Sequence, residues 1–257
     1  MAKTNNIFKS NIIPKSHTDL GYYLAGLIEG DGHFSKKQLI ISGHQKDYEF
    51  FKTLSILLGY GTVSQYSKGR GLRFVISSKA GLYHVVCLCN GKFVGYHKYN
   101  QLINHNYEQW LNITLLPPTK KFTLNNFWFC GFIDADGCFR PQGTVRKCNT
   151  STTKTRVDLR LTIAQKDKFL LEQIQRIFEI PQIYESKNMN NKHFRLTISG
   201  YKRLPVIINY FDTYCLQTCK YVHYRLFRHS FRFMQFKKLG LKVGLKSLRR
   251  VYKMFIR

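Results

Sequence analysis

Two apolar stretches of the chain each end in an acid followed by glycine, and they lie 105 residues apart. The first is Leu24-Ala25-Gly26-Leu27-Ile28-Glu29-Gly30-Asp31-Gly32, and the second is Phe129-Cys130-Gly131-Phe132-Ile133-Asp134-Ala135-Asp136-Gly137. Each reads as the last turns of an apolar helix that stops at the acid, with the final glycine expected in the left-handed conformation that often closes a helix. The acid then sits at the negative end of the helix dipole, a placement that costs a few tenths to about 1 kcal/mol at an exposed site. Small residues recur four apart, Gly26 with Gly30 and Gly131 with Ala135, so each helix has one face that another backbone can approach closely. Packed through these faces, the two helices bring Asp31 and Asp136 side by side. Adjacent carboxylates at two negative helix ends repel, and a bound cation is the usual remedy.

The rest of the chain repeats with the motifs. Gln-Lys-Asp occurs at 45 to 47 and at 165 to 167, the stretch Arg73 to Ser77 matches Arg195 to Ser199, and Lys-Tyr occurs at 98 to 99 and 220 to 221. Order is kept while the spacing grows by fifteen residues between the second motif and Gln165, so the chain is an internal duplication with a longer first hairpin in its second half.

Each half reads helix, hairpin, helix, hairpin, helix, helix. Thr18 or Asp19 can cap the first helix. His33 to Ser35 and Leu39 to Ser42 make a short hairpin, and a helix from Gln45-Lys46-Asp47 has apolar Phe50, Phe51, Leu54, Leu57 and Leu58 on one side before Gly59 closes it. Thr62 to Tyr66 and Leu72 to Ser77 form a second hairpin around Lys68-Gly69-Arg70-Gly71, followed by helices over about 79 to 89 and 97 to 112. These patterns divide the chain into an arm (1–17), a first half (18–114), a Pro-Pro linker (115–122), a second half (123–236) and a basic tail (237–257). In the long second-half hairpin Val157, Leu159, Leu161 and Ile163 share one face while Arg156, Asp158, Arg160 and Thr162 share the other. The fold class is α+β, with antiparallel sheets that are apolar on one side and polar on the other.

With 41 Lys plus Arg against 14 Asp plus Glu, the formal charge is +27. Such an excess calls for a polyanionic partner, because counterion release from phosphates drives binding to nucleic acid. A membrane surface is the other electrostatic option, but neither an amphipathic anchor nor an apolar run of spanning length is evident. The N-terminus has no pattern of a secretory signal or of an Arg- and Ser-rich import peptide. Seven cysteines without a Cys-x-x-Cys pair point to free thiols in a reducing compartment and to no zinc.

The two motifs resemble those of the LAGLIDADG homing endonucleases in their single-chain form. That resemblance, over residues 18 to 235, implies two pseudo-symmetric αββαββα halves, motif helices at the centre and sheets forming a saddle over a long, asymmetric double-stranded DNA site. It implies a monomer that cuts both strands. Asp31 and Asp136 would be the metal ligands, helped by the carbonyls of Gly30 and Ala135. Two or three Mg2+ ions would be shared between the acids. By the same pattern Lys98 and Lys220 would steady charge beside each scissile phosphate, and Gln45 and Gln165 would position water or metal. Glu29 and Asp134 would cap or buttress. Candidate base contacts are Ser35, Gln38, Ser42, Gln65, Arg70 and Arg73 in the first half. In the second they are Arg140, Gln142, Arg156, Asp158, Arg160, Thr162, Arg195 and Thr197, since arginine suits guanine and glutamine suits adenine. The basic tail reads either as an arm on phosphates or as a partly ordered extension. An RNA-binding intron maturase on the same scaffold is the alternative, and an organelle, the mitochondrion before the chloroplast, is the location the resemblance implies.

Overall fold

A computed structural model of the chain describes residues 14, 16–65, 69–119, 121–147, 153–188 and 191–238, with the side chains of 141–157, 186–191, 233 and 236–238 left out. The first half contains α1 (His17–Asp31), β1 (Gly32–Ser35), β2 (Gln38–His44), a 3-10 turn (Gln45–Asp47), α2 (Tyr48–Leu58), β3 (Thr62–Gln65), β4 (Gly71–Ile76), α3 (Lys79–Cys89), α4 (Tyr96–Asn104) and α5 (Tyr107–Leu111). The second contains α6 (Trp128–Asp136), β5 (Gly137–Lys147), β6 (Thr153–Gln165), α7 (Lys168–Phe178), β7 (Tyr184–Asn188), β8 (Asn191–Ser199), α8 (Leu204–Thr213) and α9 (Lys220–Lys238). Each half has one antiparallel sheet, ordered β1-β2-β4-β3 in the first and β5-β6-β8-β7 in the second. The α+β class and the duplicated αββαββα plan are what the chain has.

Alternation decides which side of each sheet is core. Leu39, Ile41, Leu72, Phe74 and Ile76 are buried in the first half, as are Leu159, Leu161, Ile163, Leu196 and Ile198 in the second. Their neighbours in sequence face away. Beneath the sheets lie the amphipathic helices, and between the halves lie α1 and α6.

The contact of these two helices follows from two glycines. A Cβ on Gly26 would overlap the Trp128 carbonyl, and one on Gly131 would overlap the Tyr23 carbonyl. Tyr23 and Trp128 are equivalent positions, so the packing is reciprocal about a pseudo-dyad. The small-residue faces read from the sequence are the faces in contact.

Four local expectations are corrected. Ser16 caps α1, accepting from Asp19 N at 3.1 Å, so the helix starts before Thr18. The glycines after the motif acids are extended, with φ of −85° at Gly32 and −77° at Gly137. They are glycines for space: a Cβ at Gly32 would stand 2.7 Å from Ile28 Cα. The helix expected over 97 to 112 is split into α4 and α5, because Asn106 takes a left-handed φ of 56°. Leu57, expected on the apolar side of α2, is exposed instead. Gly59 closes α2 at φ 71° as expected, whereas the equivalent end of α7 has Glu179 at φ 48°, with its carbonyl held by Arg203 Nη2 at 2.5 Å.

Candidate active site at the seam of the two halves

Helices α1 and α6 end together, which sets the site. Gly30 lies against Ala135 and Asp136, close enough that a Cβ there would be 3.0 Å from Asp136 Oδ2. Both acids are held above the usual carboxylate range. For Asp31 the cause is burial, opposed by the charges of Lys220 and Lys98. Asp136 is raised to about 7, by burial first and then by the negative charge of Asp31.

The two lysines arrive on α4 and α9. Lys98 is buried and its ammonium donates to the Gly32 carbonyl at 2.5 Å. Burial lowers its pKa, while the charges of Glu29, Asp136 and Asp31 oppose the shift. Lys220 donates to the carbonyls of Ile133, at 3.3 Å, and of Ala135. The Ala135 carbonyl expected at the metal is therefore engaged by Lys220 here, whereas no such bond reaches the Gly30 carbonyl from a described residue.

Glu29 and Asp134 buttress, as expected. Glu29 accepts from Gly95 N at 2.6 Å and Val94 N at 3.0 Å, so it fixes the start of α4, and from Trp128 Nε1 at 2.5 Å across the seam. Asp134 accepts from Gln217 N at 2.8 Å and Thr218 Oγ1 at 2.5 Å before α9, and from Tyr23 Oη at 2.9 Å across the seam. Burial raises Glu29 to about 8 and Asp134 to about 6.

The glutamines are not equivalent. Gln165 Nε2 donates to Asp136 Oδ2 at 2.5 Å. Gln45 is exposed, and its side chain has no hydrogen bond to another described residue.

Most of the expected base contacts lie on the polar faces. Ser42 pairs in register with Arg73, Arg140 with Arg160, Arg160 with Ser199, and Thr162 with Thr197, while Arg195 lies opposite Ala164. Asp158 shares that face, opposite Gln142. Gln142 and Arg156 are strand residues whose side chains lie outside the described ones. Gln65 is a correction: it lies opposite Leu72, on the core side of its sheet, exposed because β3 is an edge strand. Ser35 donates to the Gln38 carbonyl at 3.3 Å within its own turn. Arg70 is exposed in the bend before β4, and its carbonyl accepts from Gln45 N at 2.7 Å.

Sequence reasoning missed two features beside the site. Gln101 Nε2 lies 3.2 Å from both His33 Nδ1 and His97 Nε2, forming a polar chain next to Lys98. Asp47 is buried and reaches into the other half. The adjacency of His97 to Lys98 was the available signal for the first, and the repeated Gln-Lys-Asp string for the second.

Among the described residues no group of three or more His, Cys, Asp or Glu could hold a metal, and Cys87, Cys89, Cys130, Cys138, Cys215 and Cys219 are free thiols. No described helix is long and apolar enough to cross a membrane. What the seam offers is two crowded carboxylates and backbone carbonyls. Such hard oxygen donors, too few to enclose an ion, fit a divalent cation that keeps water and phosphate oxygens in its coordination shell.

A family model described as LAGLIDADG endonuclease matches residues 129–231. An uncharacterized cox1 intron-2 37.2 kDa protein of Schizosaccharomyces pombe is 32% identical, over 92% of this chain and 73% of its own length. Probable intron-encoded endonuclease 4 of Neurospora crassa and intron-encoded RNA maturase bI4 of Saccharomyces cerevisiae are each 26% identical; the chain spans 38% and 33% of their lengths. Among solved structures, the LAGLIDADG meganuclease I-CpaMI bound to uncleaved DNA shares the fold, with a TM-score of 0.66 and 18% identity over 91% of this chain and 98% of that one. The meganuclease I-AabMI, also bound to uncleaved DNA, gives a TM-score of 0.67 at the same identity. With a relative spanning both halves and the family model covering the second, the chain belongs to the LAGLIDADG endonuclease family.

Proposed function

We propose that the chain is a site-specific double-strand DNA endonuclease of the homing type, acting as a monomer on a long asymmetric site. The observation that carries this reading is the meeting of Asp31, Asp136, Lys98 and Lys220 at one seam, flanked by two sheets with polar, basic faces. A protein built only to bind would gain stability from neutral residues at the two helix ends.

Divalent ions, Mg2+ on this reading, would be held by Asp31 and Asp136 and would supply a polarised water and stabilisation of the leaving oxygen. Asp31 and Asp136 hold those ions in their ionised form. Lys98 and Lys220 place an ammonium beside each scissile phosphate and offset its developing charge. Gln165 fixes the orientation of Asp136, and Gln45 is free to orient a water. Arg73, Arg140, Arg160 and Arg195 engage base edges and phosphates along the sheets.

An RNA maturase role is the second reading, favoured by the relative named as a maturase and by the +27 charge. The relatives named for introns, one of them in cox1, support an intron-borne gene and a mitochondrial location. Incubation with the DNA flanking its own gene and with Mg2+ tests the main reading. The expected result is a double-strand break that Asp31→Asn or Asp136→Asn removes while DNA binding persists. Tight binding to a structured intron RNA, with no cut on any flanking DNA, supports the maturase instead.

A further inference from the structure

Asp47 and Asp167 occupy equivalent places, each the last residue of a Gln-Lys-Asp string and the one before α2 or α7. Asp167 caps its own helix, accepting from Phe169 N at 2.9 Å. Asp47 makes no side-chain bond to α2. It is buried, and its Oδ1 accepts from Cys219 N at 2.7 Å, 172 residues further along the chain. A helix without its cap loses about 1 kcal/mol, so the diverted carboxylate must be accounted for elsewhere.

Cys219 immediately precedes Lys220, the first residue of α9, whose ammonium reaches the Ala135 carbonyl at the seam. The bond from Asp47 is charge-assisted and aligned with a helix N-terminus. It therefore fixes, from the first half, the backbone that carries the second half's lysine. Asp134 holds the same turn from the other side, through Gln217 N and Thr218 N. In the first half the turn before α4 is held by Glu29, while Asp167 caps α7 through Oδ1 and its Oδ2 faces the same turn, 3.2 Å from where a Cβ on Gly95 would stand.

We propose that Asp47 is a positioning residue for Lys220 and so sets the rate at which the strand served by that lysine is cut. The proposal rests on the endonuclease reading for its catalytic consequence and on the Cys219 bond for its structural one. Two measurements separate these. The first follows nicked and linear products of a plasmid bearing the target, with each strand end-labelled, for the wild-type protein and for Asp47→Ala, Asp47→Asn and Asp167→Ala. The second follows hydrogen exchange at residues 217–221 without DNA or metal.

Asp47→Ala is expected to speed exchange in that segment and to slow one strand about tenfold, within the range that a misplaced reacting group costs. Nicked circles then accumulate while DNA affinity is unchanged. Asp47→Asn retains an acceptor for Cys219 N and restores matched cutting, and Asp167→Ala, which removes a carboxylate facing the Lys98 turn, does not slow the strand served by Lys220. Equal slowing of both strands, no slowing, or an Asn variant as impaired as the Ala variant overturns the assignment. If the wild-type protein cuts no DNA, the endonuclease reading fails, and the exchange measurement decides the positioning alone: unchanged protection in Asp47→Ala overturns it.

Discussion

Gln165 Nε2 donates to Asp136 Oδ2 at 2.5 Å, while its counterpart Gln45 is exposed and bonds no described side chain. One motif acid is thus oriented by a glutamine of its own half and the other is not. The duplication keeps the residue and changes its work.

The Gln165 bond favours the ionised carboxylate and so lowers the Asp136 pKa, against burial and the charge of Asp31, which raise it to about 7. At limiting Mg2+, cleavage should therefore fall as pH drops through about 7, where protons compete with the ion for Asp136. Gln165→Ala is expected to move this acid limb to higher pH. Gln45→Ala should lower the rate without moving it. Pre-steady-state cleavage rates between pH 5.5 and 9, taken as approximate limits for a limb near neutrality, check both.

The same raised pKa gives a stability prediction with a definite sign. A carboxyl whose folded pKa lies above its unfolded value contributes stability at low pH that is lost as pH rises through the folded value. The metal-free protein should therefore weaken between about pH 4 and 7 as Asp136 ionises. Asp136→Asn removes the charge and should raise the melting temperature at pH 8 by several degrees, on the order of 1–2 kcal/mol. Mg2+ should stabilise the wild-type protein more than the variant. Calorimetry with and without the ion reads both effects.

At the crossing of α1 and α6, Gly26→Ala and Gly131→Ala each place a Cβ on the opposite backbone. Neither carbonyl is the end of a flexible side chain, so the helices must separate. Each substitution should cost roughly 1–3 kcal/mol or more and reduce cleavage, because the separation is transmitted to Asp31 and Asp136. Urea denaturation should show the loss, and Ala80→Gly, at an exposed position in the first turn of α3, provides a surface comparison.

Much of this architecture could be read from residue patterns. The acid-glycine stretches, the small residues four apart and the alternation of Leu159, Leu161 and Ile163 are local signals for helix ends, a helix contact and a strand face. Gly32 and Gly137 were misread because a glycine needed for space looks the same in sequence as one needed for a left-handed turn. Glu179 adopts positive φ without glycine, so nothing local announced it, and Asn106 carries only the weak signal that asparagine tolerates the left-handed region. The repeated Gln-Lys-Asp string marks Asp47, but its partner could not be read: it is a backbone N–H 172 residues away, and a backbone group leaves no mark on composition.

Glu29 and Trp128 meet across the seam at 2.5 Å, and burial raises Glu29 to about 8. The indole therefore reports that proton. With Trp110 replaced by Phe, the fluorescence of Trp128 should titrate near pH 8, and Glu29→Gln should abolish the transition. Stability carried by the protonated Glu29 is present below the unfolded pKa and is lost as pH rises through about 8, so unfolding at pH 9 should be easier in the wild-type protein than in the Gln variant.

Recognition should be lopsided. Strand β1 has four residues and β5 has eleven. Where Ile40 lies between His33 and Val75, the equivalent Arg160 lies between Arg140 and Ser199. Two guanidinium groups directly opposite on neighbouring strands repel, and Arg160 Nε is buried without a hydrogen-bond partner among the described residues. An acceptor-rich base edge or phosphate relieves both conditions, so this row should contribute more to DNA binding than the Ile40 row. Substituting each base pair of the target in turn should show steeper losses on the second-half side, about 1–3 kcal/mol for a pair read by Arg160 or Arg140. Arg160→Ala should relax preference at that pair, whereas replacing an arginine that touches only phosphate weakens all sequences alike and flattens the salt dependence. Equal sensitivity on both sides would mean that the first half reads bases through the Ser42 and Arg73 row as fully as the second does, despite its shorter hairpin.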